Sequence, residues 1–180
     1  MDWEQLWAPY DETTYRAALA LIRPDDVALD IGAGDLRFAH RAASRARAVI
    51  AIEQRVELLA GPFSSNLTAI CGDALTWSFP AGITVGVLLM RHCAHFAEYV
   101  AKLRAVGCAR LITNARWGMD VECVSLAPLP PFAVVRLGWY ACLCGAVGFK
   151  PGPPEYLTAA ALTSTTQAEN CPACLKVIGD

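Results

Sequence analysis

The stretch Val27-Ala28-Leu29-Asp30-Ile31-Gly32-Ala33-Gly34-Asp35-Leu36-Arg37 constrains the fold of this chain more than any other. A short apolar run ends in an acid, and two glycines then open a segment with helical spacing. Such a junction reads as strand, turn and helix. Small residues let the backbone come close to a ligand, and the first helical turn presents N–H groups without intrahelical partners. A turn of this kind needs a sheet behind it.

The remaining sequence supplies one. Trp3, Leu6, Trp7 and Tyr10, and then Tyr15, Ala18, Leu19 and Ile22, recur at helical spacing, with Asp11 placed to cap the second helix and Pro24 to stop it. Strands are expected at 27–31, 48–52, 67–70, 83–90 and 109–113, with helices at 37–47 and 96–106. Strands alternating with helices make an α/β fold with a doubly wound, mostly parallel sheet. Segments 121–126 and 132–137, joined by the proline-rich turn 128–131, read as an antiparallel hairpin at the sheet edge. From about Trp139 the alternation gives way to cysteines, glycines and the break Pro151-Gly152-Pro153-Pro154. The expected division is 1–138 and 139–180.

In parallel sheets ligands bind where the carboxyl ends of the strands meet diverging connections. Asp30, Glu53 and Asp73 each follow one of the first three expected strands, so they converge on that edge. Glu53 lies about 20 residues past the glycine turn, the separation at which a carboxylate meets the two ribose hydroxyls of a nucleotide. The dinucleotide fingerprint would place a third glycine at position 37, which is Arg37, so that pattern fails. Through Asp30-Ile31-Gly32-Ala33-Gly34-Asp35, Ile52-Glu53 and Cys71-Gly72-Asp73-Ala74, the chain resembles the class I S-adenosylmethionine-dependent methyltransferases over roughly residues 9 to 137. The resemblance implies a Rossmann-like fold and S-adenosylmethionine as the methyl donor. It implies that Asp30, Gly32 and Gly34 line the methionine part of the cofactor, that Glu53 holds the ribose, and that Asp73, with Ala74 beside it, faces the adenine. It also makes Ala8 to Glu12 an entry segment from which Tyr10 closes over the cofactor. Leu36 departs from the pattern, because many members carry a third glycine there. The plain alternative is an α/β domain with ordinary acidic caps and no nucleotide.

In this family chemistry occurs beyond the fourth strand, where members that methylate adenine or glutamine amino groups carry an acidic or Asn residue followed by Pro-Pro and an aromatic. This chain has Met90-Arg91-His92-Cys93-Ala94-His95-Phe96, so that signature is absent. Methyl transfer to a thiol, hydroxyl or amine needs an aligned nucleophile and often a base, and histidine serves near neutral pH. His92 is the candidate base, and Arg91 and His95 are candidates for holding the substrate. The alternatives are histidines that only cap or pack, or a metal site from His92, Cys93 and His95. After the fifth strand, Asn114 or Arg116 is a candidate acceptor contact. Trp117 is either a wall for the acceptor or, the favoured expectation, part of the core.

Cys142-Leu143-Cys144-Gly145 and Cys171-Pro172-Ala173-Cys174 form two pairs separated by 26 residues. Thiolates on tight turns make a tetrahedral zinc site from Cys142, Cys144, Cys171 and Cys174, and the region resembles a zinc ribbon, with flanking strands expected at 134–141 and 176–178. A redox pair at Cys171 and Cys174 is the rival. Cys71, Cys93, Cys108 and Cys123 are isolated and read as mostly buried apolar residues.

Composition bounds the partners. A net charge of −2 in 180 residues argues against a strongly basic nucleic-acid binder. Arg37, Arg41, Arg45 and Arg47 lie at helical spacing and read as a solvated face, the alternative being a stripe that tracks phosphates. No apolar run approaches the roughly 20 residues that span a bilayer, and the acidic start is unlike a secretory leader, so no membrane association and a cytoplasmic location are expected. With little sequence left for a lid over a small substrate, the expected acceptor is a macromolecule, protein or RNA. The competing class is a non-catalytic binding module acting in assembly with a partner.

Overall fold

The computed structural model describes residues 9–177. Trp3, Leu6 and Trp7, and the helix expected around them, lie outside the described residues. Helix α1, Glu12–Ala20, starts where the Asp11 side chain accepts from the Thr14 N–H at 2.8 Å, which satisfies one of the donors a helix start leaves open. The chain then alternates: β1 Val27–Ile31, α2 Arg37–Ala43, β2 Ala48–Glu53, β3 Leu67–Cys71, β4 Val85–Leu88, α3 Phe96–Ala105, β5 Arg110–Thr113 and β6 Glu122–Ser125. These six strands form one sheet in the order β3-β2-β1-β4-β5-β6, parallel except for β6, which runs antiparallel to β5.

Both faces of the sheet are covered, as its two-sided apolar strands require. Ala28, Val49, Ala51, Val85, Val87 and Ile112 face α1 and α2, against Tyr15, Ala18, Leu19, Phe38, Ala39 and Ala42. The alternate residues Leu29, Ile31, Ile52, Leu88 and Leu111 face α3, against Phe96, Tyr99, Val100 and Leu103. Between β4 and α3 the approach is so close that a Cβ on Gly86 would lie 2.5 Å from Leu103 Cδ1.

At the amino-terminal edge of the sheet, buried Asp26 accepts from Arg110 Nη2 at 2.8 and 2.7 Å, from Thr84 Oγ1 at 2.8 Å and from the Arg23 N–H at 2.8 Å. Those contacts clamp the starts of β1, β4 and β5 together. The carboxyl edge is left for other uses.

The antiparallel edge is β6 on β5. The second expected arm of the hairpin, 132–137, is not a strand: Phe132–Val134 is a 3-10 turn. Pro130 and Pro131 lack the N–H groups that a ladder needs, and the chain instead leaves the large sheet. Phe132 donates its N–H to Glu169 O at 2.7 Å, and Glu169 donates to Pro130 O at 3.1 Å.

A second sheet follows, with β7 Gly138–Cys142, β8 Val147–Lys150 and β9 Thr165–Ala168 in the order β8-β7-β9. β8 is antiparallel to β7, and β9 is parallel to it. A short helix α4, Ala159–Thr163, precedes β9, and α5, Pro172–Val177, ends the described chain. The strand expected at 176–178 is therefore corrected, since 176 and 177 continue a helix. Pro172 carries the fixed φ that opens a helix rather than a ladder, and Cys174 donates its N–H back to Cys171 O at 2.9 Å. β9 takes the third place in the sheet.

Candidate functional site: the carboxyl edge and the cysteine cluster

The glycine turn is fastened to the neighbouring strand. Gly32 and Ala33 both donate to Ile52 O at 3.0 Å, and Gly34 donates to Glu53 Oε2 at 3.0 Å. Gly32 has φ +69°, a backbone conformation that favours glycine, and a Cβ there would stand 2.8 Å from Met90 Cε, the movable end of that side chain. Leu36 stands in the left-handed region at φ 65° as the residue before α2, and its side chain is fully buried. The backbone conformation suits glycine. A leucine holds it because the side chain fills the core beneath α2.

Asp30 and Glu53 are both buried at the ends of β1 and β2. Glu53 Oε1 accepts from Arg55 N at 3.0 Å and Arg55 Nε at 3.1 Å, and Oε2 accepts from Gly34. A carboxylate accepts about four hydrogen bonds, so Oε2 keeps room for one more donor. Among the described residues, buried Asp30 Oδ2 has no hydrogen-bond partner. Burial, and then the charge of Glu53, push its pKa up to about 7. An orphaned acid of this kind fits a bound group that brings a donor or a positive charge. Asp73, half-buried just beyond β3, accepts from the Leu75 N–H at 2.8 Å and so shapes the turn that carries buried Ala74.

Tyr10 spans the edge. Its hydroxyl accepts from the Arg91 N–H at 2.8 Å, the Arg91 guanidinium lies 5.5 Å from its ring centre, and its own N–H donates to Tyr15 Oη at 3.1 Å. The entry segment is thereby tied to the loop after β4. In that loop His92 is exposed with φ 59°, a left-handed conformation for a side chain that usually avoids it. His95 is occupied in the first turn of α3, with Nδ1 2.7 Å from Glu98 Oε2. Cys93 is buried, as are Cys108 and the four-cysteine members Cys142 and Cys171, whereas Cys71 and Cys123 are exposed, against the expectation of burial for both.

The loop after β5 adds a second orphan. Asn114 is 2% exposed, and among the described residues neither its Oδ1 nor its Nδ2 has a hydrogen-bond partner. Register places it beside the β4 loop, because Leu88 pairs with Thr113. Arg116 does not reach an acceptor. It is buried in contacts with Glu122, at 2.6 and 2.5 Å, and with Gln167 Oε1 at 2.8 Å. Trp117 is 70% exposed, so the core expectation is corrected. With Arg116 anchored inward, the next side chain is left pointing out. Sequence spacing gave no sign of the Met90 cover over Gly32 or of the Arg116 hub, because both depend on which loops meet.

Three of the four stripe arginines are engaged locally. Arg37 pairs with Asp35, Arg41 reaches Glu12 at 2.7 Å, and Arg45 donates to Leu19 O at 3.3 Å. This favours the solvated, paired face over a phosphate track.

The sulfurs of Cys142, Cys144, Cys171 and Cys174 lie within 4.8 Å of one another. Contacts of 3.6 Å for Cys142–Cys174, 3.5 Å for Cys144–Cys171 and 3.9 Å for Cys171–Cys174 are far longer than a disulfide, about 2.05 Å. They match the edge of a tetrahedron, about 3.8 Å, set by zinc–sulfur bonds of about 2.3 Å. Hydrogen bonding from the Cys144 thiol, and then from backbone N–H groups of Cys144 and Cys171, outweighs burial and draws the Cys142 thiol below its ordinary value. The donor set fits a closed metal site.

No family model matches the sequence, and no curated protein matches it. Solved structures do match. The chain is similar to the 23S rRNA methyltransferase ErmE, with 23% identity and a TM-score of 0.50 over 62% of this chain and 48% of that one. It is similar to a candidate RNA methyltransferase from Pyrococcus horikoshii, with 16% identity and a TM-score of 0.50 over 62% of this chain and 63% of that one. The fold is shared with these structures. A third match is an S-adenosylmethionine dependent methyltransferase from Mesorhizobium loti, with 16% identity, a TM-score of 0.49, and 77% and 62% of the two chains covered. The match thus spans less than two thirds of the length of each of these proteins. Among the described residues, no helix is long and apolar enough to cross a membrane.

Proposed function

We propose that this protein is an S-adenosylmethionine-dependent methyltransferase acting on a macromolecular acceptor, protein or RNA. The observation that carries the proposal is the orphaned, buried Asp30 carboxyl beside Glu53, at the carboxyl edge and next to a turn whose left-handed backbone at Gly32 favours glycine. Bound there, S-adenosylmethionine supplies a methyl group activated on a sulfonium. Asp30 meets the cationic methionine end, Gly32 and Gly34 give the backbone clearance, and Glu53 offers its remaining lone pair to the ribose. Asp73 and Ala74 border the adenine, and Tyr10 closes the edge. Met90, unbranched and flexible, moves off Gly32 on binding.

On the acceptor side His92 would take the nucleophile's proton while the nucleophile's lone pair bonds the methyl carbon, the sulfonium S–CH3 bond breaking with its electron pair returning to sulfur to leave a neutral thioether. Asn114, Arg91 and His95 orient the acceptor, with His95 first releasing Glu98. The exposed Trp117, Arg91 and His92 leave this edge open to a large partner. Cys142, Cys144, Cys171 and Cys174 hold one zinc, which with four protein ligands has a structural task. The chain divides functionally at 138/139, and the second part acts as a support.

Calorimetry with S-adenosylmethionine is the first test. Binding that Glu53→Ala weakens about tenfold or more is expected; no detectable binding by the wild type overturns the cofactor assignment. Labelled cofactor is then offered to fractionated protein, RNA and metabolites beside His92→Gly, which suits the left-handed backbone and removes the imidazole. Equal transfer by that variant removes His92 as the base. Label confined to metabolites removes the macromolecular acceptor.

A further inference from the structure

We propose that Arg116 is a positioning residue that makes the acceptor edge depend on the cysteine cluster. Its guanidinium is fully buried, so its charge needs compensation on every side. Glu122 on β6 supplies the countercharge through two hydrogen bonds, Gln167 on β9 accepts at 2.8 Å, and the Cys142 carbonyl accepts from Nη1 at 3.4 Å. Gln167 Nε2 returns to Glu122 Oε2 at 3.4 Å, so the three side chains form one network across the two sheets. A fork of fixed geometry holds such a network where a lysine would not.

The residues on either side of Arg116 give the network its consequence. Asn114, with its partnerless buried amide, lies two residues before it, and exposed Trp117 follows it. Moving the guanidinium moves both. A second strut reaches the other acceptor loop: Gly145, one residue past Cys144, leaves only 3.2 Å between a built Cβ and Phe96 Cδ1, at the first residue of α3. Leu143 is buried in the same core as Phe96 and Leu88. Both loops at the acceptor edge therefore rest on the segment that carries Cys142 and Cys144. A metal joining the two cysteine pairs fixes that segment, and its loss frees both loops while the glycine turn, fastened to the Ile52 carbonyl and to Glu53, keeps its order.

This rests on the metal reading of the cluster and is tested so that the two fail separately. Amide exchange is followed on the full chain, zinc-loaded, chelator-stripped, and as zinc-loaded Gln167→Ala, with metal content measured in each. Stripping is expected to speed exchange at 114–118 by about tenfold or more, and Gln167→Ala to do so with zinc retained, while 28–36 stays protected. In the variant, affinity for S-adenosylmethionine is unchanged and the KM for the labelled acceptor fraction rises. Unaltered exchange at 114–118 in Gln167→Ala overturns the proposal, whatever stripping does. Wild type purified without metal removes the metal dependence and leaves the Arg116 network to be decided by the variant.

Discussion

At the scale of single residues, the site is a set of local costs held in place by their surroundings. Asp30 has a folded pKa of about 7, raised by burial and by Glu53, against about 3.9 in an unfolded chain. Between those values the folded state holds the extra proton, so stability falls as pH rises from about 4 to 7 and then levels. Asp30→Asn should remove this slope and unfold at higher urea than wild type at pH 8, by on the order of 2–4 kcal/mol; parallel urea curves at pH 5 and 8 check it. Leu36 poses the opposite balance. Glycine there would relieve about 1 kcal/mol of left-handed strain, but deleting a fully buried leucine costs about 3 kcal/mol. Leu36→Gly is therefore expected to destabilise by about 2 kcal/mol in thermal or urea unfolding, even though glycine suits the left-handed backbone there.

At the scale of elements, the two ends of the sheet divide the work. The amino-terminal ends are closed by Asp26. Burial alone would raise its pKa, but the Arg23 N–H and then Arg110 and Thr84 overcome this and hold it below the usual carboxylate range. Its contribution is present above pH about 4 and is lost as pH falls through the lower folded value. Asp26→Asn leaves Arg110 without its buried countercharge and should cost about 3 kcal/mol at pH 7, with the difference from wild type shrinking in acid. The carboxyl ends carry the left-handed residues and the partnerless amide and carboxyl instead. Strain and unsatisfied polar groups collect at one edge because the other supplies the cohesion.

At the scale of the whole molecule, the cysteine segment behaves as part of one packed body, since Leu143 shares a core with α3 and β4 and Arg104 pairs with Glu169 at 3.2 Å. Zinc removal should thus lower the melting temperature of the chain as a whole, by several degrees, rather than melt a tail alone; calorimetric scans with and without chelator check it, and one unshifted main transition would contradict it. The alternation of apolar runs with helical spacing already determined a doubly wound sheet, because a strand apolar on both faces has to be covered on both, and the acids at 30, 53 and 73 had to fall at its carboxyl edge by chain order. The two cysteine pairs announced a four-sulfur cluster because ligand type and spacing are local properties. What the tertiary structure decided was every relation between distant loops: Arg116 turned inward and Trp117 outward, Met90 laid over Gly32, Tyr10 fastened to Arg91, and segment 132–137 diverted by its prolines to a second sheet. Those outcomes depend on which surfaces meet and which buried charges find partners, and neither is written in periodicity.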